Sequence, residues 1–152
     1  MLKLAIVGPE ENKWSSEQKN FAQKKIYDLF YNYSELSKIS LVSGHCPKGG
    51  VDIWAEVIAN ILSLEKQIFP AQINRWNDYI IYGNNDKQKL IGFKTRNIKI
   101  AETCDILYCI VPEAKENYCN KCKIYGHPSN GGCWTLNYTK KLKKETHLVV
   151  IK

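Results

Sequence analysis

The chain has 152 residues, of which 44% are hydrophobic and 24% charged. That composition is typical of a globular protein, and the length suits a single domain over residues 1–152. The sequence shows no export signal and no apolar run of roughly 20 residues, so we expect a cytoplasmic protein without a membrane partner. Six cysteines in such a chain argue against a disulfide framework. The net charge of +7 favours anionic partners such as nucleotides or nucleic acid.

Apolar patterns typical of strands and of helices alternate along the chain. The predicted strands are 2–7, 39–43, 67–69, 105–111 and 147–151. A capped helix start is predicted at Ser15-Ser16-Glu17. Helical stripes follow at Trp54, Val57, Ile58, Ile61 and Leu62, then at Leu90, Phe93, Ile100, Ala101 and Cys104, and a last helix begins at Gly131-Gly132. Residues 71–85 and 113–131 have no clear period and are predicted to be loops.

This alternation predicts a Rossmann-like three-layer α/β/α sandwich with a mostly parallel five-stranded sheet. Right-handed crossovers favour the strand order 3-2-1-4-5. In that order the carboxyl ends of strands 1 and 4 lie side by side, at the point where such sheets bind ligands.

The first candidate anion site lies between the second strand and the helix that follows it. This segment, Ser43–Asp52, contains Gly44, Gly49 and Gly50. Glycines allow a tight turn, and the free amides at a helix start attract anions. Lys48 adds a positive charge, and Asp52 is suited to stabilising the helix start, to a ribose hydroxyl or to a catalytic water. Glycines that serve only the turn are the alternative interpretation.

A second glycine-rich helix start lies in the segment 129–135. Asn130, Gly131 and Gly132 precede the helix, and the Thr135 hydroxyl is placed either to meet a phosphate or to cap its own helix. Because parallel strands end at one edge of a sheet, both turns are predicted to face one crevice.

A metal-ligand pattern precedes this helix, with the spacing Cys119-x2-Cys122-x4-His127-x5-Cys133. Three thiolates and one imidazole match a closed tetrahedral zinc site of the Cys3His type. Such a site would be structural and would pin the loop at about 113–131 to the helix start. Free thiols, or a disulfide between two of the cysteines, are the alternatives.

The two turns resemble the SLOG superfamily, a Rossmann-like group that includes the LOG phosphoribohydrolases, DprA-type proteins and small phage and bacterial or archaeal nucleotide-binding proteins. The matching segments occur in the family's order and are Ile6-Val7-Gly8-Pro9, Val42-Ser43-Gly44, Gly49–Glu56, Thr95-Arg96-Asn97 and Gly131–Thr135. The resemblance implies that Gly8, Gly44, Gly49 and Gly50 contact a nucleotide, and that Gly131, Gly132 and Thr135 hold its phosphate. It also assigns Arg96 and Asn97 to the pocket.

The chain departs from the LOG enzymes at the second turn. Their turn reads Pro-Gly-Gly-x-Gly-Thr-x-x-Glu, whereas Trp134 stands here at the third glycine and Tyr138 at the glutamate. The sequence therefore favours a protein that binds or senses a nucleotide. One alternative is hydrolysis or transfer at an N-glycosidic bond, with Asp52 or Glu56 as the acid/base or the nucleophile. A nucleic-acid-binding module is another, and a homodimer, frequent in such families, is also left open.

Overall fold

A computed structural model describes all 152 residues of the chain. In chain order the elements are β1 (Leu2–Val7), α1 (Ser16–Ser34), β2 (Ile39–Ser43), α2 (Val51–Ile61), β3 (Glu65–Ile68), β4 (Tyr79–Tyr82), β5 (Lys87–Leu90), α3 (Phe93–Thr103), β6 (Ile106–Pro112), β7 (Ala114–Cys119), β8 (Ile124–Gly126), α4 (Gly131–Lys141) and β9 (Glu145–Ile151). None of the four helices has the length and apolar character needed to cross a membrane.

Five of the strands form one parallel sheet in the order β3-β2-β1-β6-β9. The predicted parallel α/β sandwich is therefore confirmed. The strand labels differ from the predicted 3-2-1-4-5 because two antiparallel hairpins, β4–β5 and β7–β8, are inserted between strands of the main sheet. β1 and β6 are neighbours in the sheet. The chain runs from β1 toward one edge of the sheet and from β6 toward the other edge.

Helices cover both faces of the sheet, and each face has its own core. Successive side chains of a strand point to opposite faces, so Leu4 and Ile6 pack with α1 and α2, whereas Ala5 and Val7 pack with α3 and α4. All seven residues of β6 are buried, as expected for a central strand covered on both sides.

Local sequence signals explain how the first two helices begin and which face they bury. Ser15 and Gln18 form a reciprocal capping box at the start of α1. In α2 the predicted stripe is wrong in part, because Val57 and Ile61 are exposed. Relative to the predicted stripe, the buried face of α2 is rotated around the helix by about one position. It consists of Val51, Asp52, Trp54, Ala55, Glu56, Ile58 and Ala59. This face includes two carboxyl side chains, which a search for apolar periodicity does not find.

Both predicted loops contain β-strands, and those predictions are corrected, because 71–85 includes the first strand of the hairpin β4–β5 and 113–131 includes the whole hairpin β7–β8. In the first hairpin all of β4 is exposed, so the strand lacks the alternation of buried and exposed residues that marks a strand in sequence. Leu90 belongs to β5 and not to the helical stripe, because α3 begins at Phe93. The second hairpin lies within 113–131 and is mostly exposed except at Cys119.

Candidate ligand cavity and metal centre

A cavity of about 670 Å³ opens at the carboxyl edge of the sheet, beyond the end of β1 where it pairs with β6. Ligands of parallel α/β sheets bind at this position. Four basic residues and two acidic residues line it, an excess that favours an anion. Ten of the residues predicted to bind a ligand lie in its wall, namely Gly8, Pro9, Lys48, Asp52, Arg96, Asn97, Asn130, Gly131, Gly132 and Thr135.

The start of α4 forms one side of the cavity. Asn130 caps the helix by accepting a hydrogen bond from the Cys133 N–H at 3.2 Å. The preceding amides of Gly131 and Gly132 have no partner inside the helix and are available to an anion. Gly132 is tightly packed, because a Cβ there would lie 3.1 Å from the Gly8 nitrogen and 3.2 Å from Cys109 Sγ. Thr135 donates its hydroxyl to the Gly131 carbonyl at 3.0 Å and so bonds within its own helix.

Arg96 and Asn97 are both buried and enter the cavity wall from α3. Arg96 Nε donates to Asn97 Oδ1 at 2.8 Å, and another guanidinium nitrogen donates to the Gly44 carbonyl. These contacts explain why an amide lies on the inner face of this helix. The remaining guanidinium nitrogen and Asn97 Nδ2 have no partner within the chain, and neither is among the buried unpaired atoms, so both donors are open to the solvent of the cavity.

Asp52 brings a carboxylate to the same cavity. Its Oδ2 accepts a hydrogen bond from the Cys46 N–H at 3.2 Å, and no protein donor bonds its other oxygen. Burial raises the pKa of Asp52 from 3.8 to about 6, against the opposing effect of the Arg96 charge. A carboxyl group that titrates near neutral pH in a cleft is typical of functional sites.

The remaining predicted site residues lie behind the cavity wall. Gly44 packs against the Arg96 side chain, and Gly49 and Gly50 pack against the Glu10–Glu11 segment and Pro9. Gly50 has a φ of 89°, and a Cβ there would lie 2.3 Å from the Pro9 carbonyl oxygen. These glycines therefore serve the turn and the close approach of two backbone segments.

The second acid in this region has its own protein partners. Glu56 accepts a hydrogen bond from the Ser43 hydroxyl at 2.9 Å, and its other oxygen lies 2.8 Å from His45 Nδ1. Neither Glu56 nor Ser43 lines the cavity. Of the two acids predicted as catalytic candidates, only Asp52 is placed to meet a ligand.

Aromatic residues to which the sequence analysis gave no binding role complete the wall. Trp76, Phe93 and Trp134 line the cavity, and the Trp76 and Trp134 rings meet edge-on with centroids 5.1 Å apart. The backbone carbonyl of Trp76 accepts the Lys94 N–H at 3.0 Å, which fixes its segment to the start of α3. Trp76 lies in a segment without periodicity, so only its residue type hinted at a binding role.

The four predicted metal ligands come together beside this cavity. The ligand atoms of Cys119, Cys122, His127 and Cys133 all lie within 4.8 Å of one another. Cys119, His127 and Cys133 are fully buried, so the cluster is closed rather than open to substrate. In a tetrahedral zinc site the sulfurs are about 3.8 Å apart, so a small contraction of this cluster would form one.

Hydrogen bonds around the cluster also fit a metal. His127 Nδ1 donates to the Pro128 carbonyl at 2.9 Å, which leaves the lone pair on Nε2, and this buried atom has no partner. Burial raises the pKa of Cys119, but hydrogen bonds from the Cys122 backbone and Ser129 outweigh it and lower the pKa overall. Burial and the neighbouring Cys133 raise the pKa of Cys122 to about 12. Because the thiolate is the metal ligand, a thiol with a raised pKa would release its proton on binding a metal ion.

Comparisons with protein-family models, curated proteins and solved structures find no match to this chain.

Proposed function

We propose that this protein binds a nucleotide or a related phosphorylated nucleoside in the cavity at the carboxyl edge of β1 and β6, as a nucleotide-binding or nucleotide-sensing protein. The observation that carries this proposal is the convergence of three kinds of donor on one cavity. They are the free amides at the start of α4, the Arg96 guanidinium and the unpartnered Asn97 amide.

The phosphate would lie against the amino end of α4. Its amides supply hydrogen bonds, and the helix dipole favours negative charge there. Arg96 adds a guanidinium that suits phosphate oxygens. The Gly131 position leaves room for a close approach, because the nearest atom to a Cβ there is Asn97 Nδ2 at 3.9 Å.

The remaining wall suits the nucleoside. Trp76 and Trp134 offer apolar surface for a base, and stacking on such rings tolerates any base. The free oxygen of Asp52 is an acceptor for a ribose hydroxyl. A cavity of about 670 Å³ is also within the usual range for small-molecule sites.

A second candidate function is hydrolysis of the N-glycosidic bond of a nucleoside phosphate. One specific observation favours it, which is that Asp52 lies in the cavity with its pKa raised to about 6, suited to a general acid or base. Release of free base from a nucleoside monophosphate, lost in Asp52→Asn, would support this reaction. If the protein bound the nucleoside monophosphate tightly without releasing free base, hydrolysis would be excluded and binding alone would be the function.

We further propose that Cys119, Cys122, His127 and Cys133 hold a structural Zn²⁺ ion. The orphaned His127 Nε2 supports this proposal, since an unpaired buried acceptor costs free energy that a metal bond removes. Native mass spectrometry should show one zinc per chain that is lost in His127→Ala. A metal-free wild-type protein in which Cys119, Cys122 and Cys133 are three reactive thiols would contradict it.

Calorimetric titration tests the binding proposal most simply. Nucleoside monophosphates should bind at least about 10-fold more tightly than the matching nucleosides, since charge-assisted contacts to phosphate are worth about 1.5–3 kcal/mol. Arg96→Ala should weaken phosphate-dependent binding. Lys94→Ala is the matched control, because Lys94 is exposed on the same helix and does not line the cavity. Equal binding by both variants, or none by the wild type, would refute the proposal.

A further inference from the structure

From the placement of the two sites we infer that metal occupancy of the Cys3His cluster controls the affinity of the adjoining cavity. This inference rests on the proposed nucleotide function and adds its regulation. The chain segments that carry the metal ligands are the segments that form one side of the cavity. Asn120 and Lys121 lie between two of the ligands and line the cavity, as do Gly132 and Trp134 on either side of Cys133.

The helix cap links the cluster directly to the anion site. Asn130 Oδ1 accepts the Cys133 N–H at 3.2 Å, and Asn130 Nδ2 lies 3.4 Å from Cys133 Sγ and donates to it. A metal-bound thiolate is a stronger acceptor than a thiol. Asn130 Nδ2 also donates to the Pro128 carbonyl at 3.3 Å, so the ion strengthens one of three bonds that position this side chain, and with it the direction of the Gly131 and Gly132 amides.

Little besides the ligands holds the β7–β8 hairpin in place. Most of both strands is exposed, and Cys119 is the hairpin residue that joins the core under α3 and α4. The polar links are those of Asn120 with Ser129 at 2.7–2.8 Å and of Asn137 Nδ2 to the Lys121 carbonyl at 2.7 Å. An isolated two-stranded hairpin is marginally stable in water. Without the ion, this wall of the cavity would open locally while the main sheet stays folded.

The ion raises the affinity for phosphate through the position of the cavity wall and not through the charge of the metal cluster. Three thiolates, a neutral imidazole and a divalent ion carry one net negative charge, which by itself repels phosphate. The metal-bound state must therefore gain affinity by ordering the amides and the hairpin. Because coupling between two sites is reciprocal, a bound nucleotide raises the affinity for zinc by the same factor.

Titration of zinc-loaded and chelator-treated protein with adenosine 5′-monophosphate and inorganic phosphate tests the inference. We expect the affinity to fall by about 5–150-fold on zinc removal, the usual range of coupling between sites, and to return when zinc is restored. Circular dichroism should show that the metal-free protein keeps its main fold. Cys122→Ser should behave as the metal-free protein does, whereas Cys104→Ala, outside the cluster and the cavity, should behave as the wild type.

The reciprocal measurement guards against loss of folding. A competing chelator gives the zinc affinity of wild-type protein with and without the nucleotide, and the nucleotide should raise it by the factor found above. Equal nucleotide affinity with and without zinc would overturn the inference and leave the proposed function intact. No binding by the zinc-loaded protein would overturn both.

Discussion

Replacing Asp52 by asparagine should stabilise the protein at neutral pH. The carboxyl group has an ordinary pKa of 3.8, and burial raises it to about 6 in the folded chain. Between these values the folded state binds the proton more tightly than the unfolded state does. The free energy of unfolding therefore falls as the pH rises through this window, and the full loss is present above about pH 6. The size of the pKa change corresponds to about 3 kcal/mol.

Urea denaturation of wild type and Asp52→Asn from pH 4 to pH 8 measures this effect. The variant should gain little at the acid end and about 3 kcal/mol at pH 7–8. Asparagine keeps the acceptor for the Cys46 N–H, so the local hydrogen bond is retained. Asp28→Asn, on the exposed face of α1, is the control and should show no such pH-dependent gain.

A variant that is less stable than wild type at pH 7.5, or a difference that does not change with pH, would refute this reasoning. A confirmed gain would mean that the chain keeps a buried carboxylate at a cost in stability. That trade is expected where the charge serves binding or catalysis and not folding.

Two further variant pairs separate packing from binding around the cavity. Gly132→Ala should destabilise the fold by about 1–3 kcal/mol, since its Cβ would press on the Gly8 nitrogen and Cys109 Sγ. Gly131→Ala should leave thermal stability nearly unchanged but block the binding of phosphate. The prediction fails if the two variants lose stability equally. Trp76→Ala should weaken adenosine 5′-monophosphate binding by about 5–150-fold, the value of one stacked base, without changing the affinity for inorganic phosphate. The exposed hairpin residue Tyr82 supplies the control Tyr82→Ala, and a matching loss there would contradict a stacking role for Trp76.

The sequence predicted the sheet and the α4 side of the site for simple geometric reasons. A helix that follows a parallel strand must begin at the carboxyl edge of the sheet, so Gly131 and Gly132 had to lie near Gly8 once β1 and β6 were neighbours. The clustering of the four candidate metal ligands was equally predictable from the sequence. Their residue types and spacing identify such a site with little dependence on the surrounding fold.

The first predicted anion turn shows what sequence leaves undecided. Gly49 and Gly50 suit either a phosphate cradle or a close approach of two backbone segments, and the packing of Gly50 against Pro9 and Glu10 accounts for the glycine there without a ligand. The same limit applies to Trp76. It reaches the cavity because its backbone meets the start of α3, a contact that no local pattern encodes.

Amide chemical shifts recorded during titration with adenosine 5′-monophosphate locate the bound phosphate residue by residue. The largest shifts should fall on Gly131 and Gly132, whose N–H groups would bond the phosphate, and inorganic phosphate should reproduce them. Shifts centred on another part of the surface, or none at saturating ligand, would contradict the binding of phosphate at the start of α4.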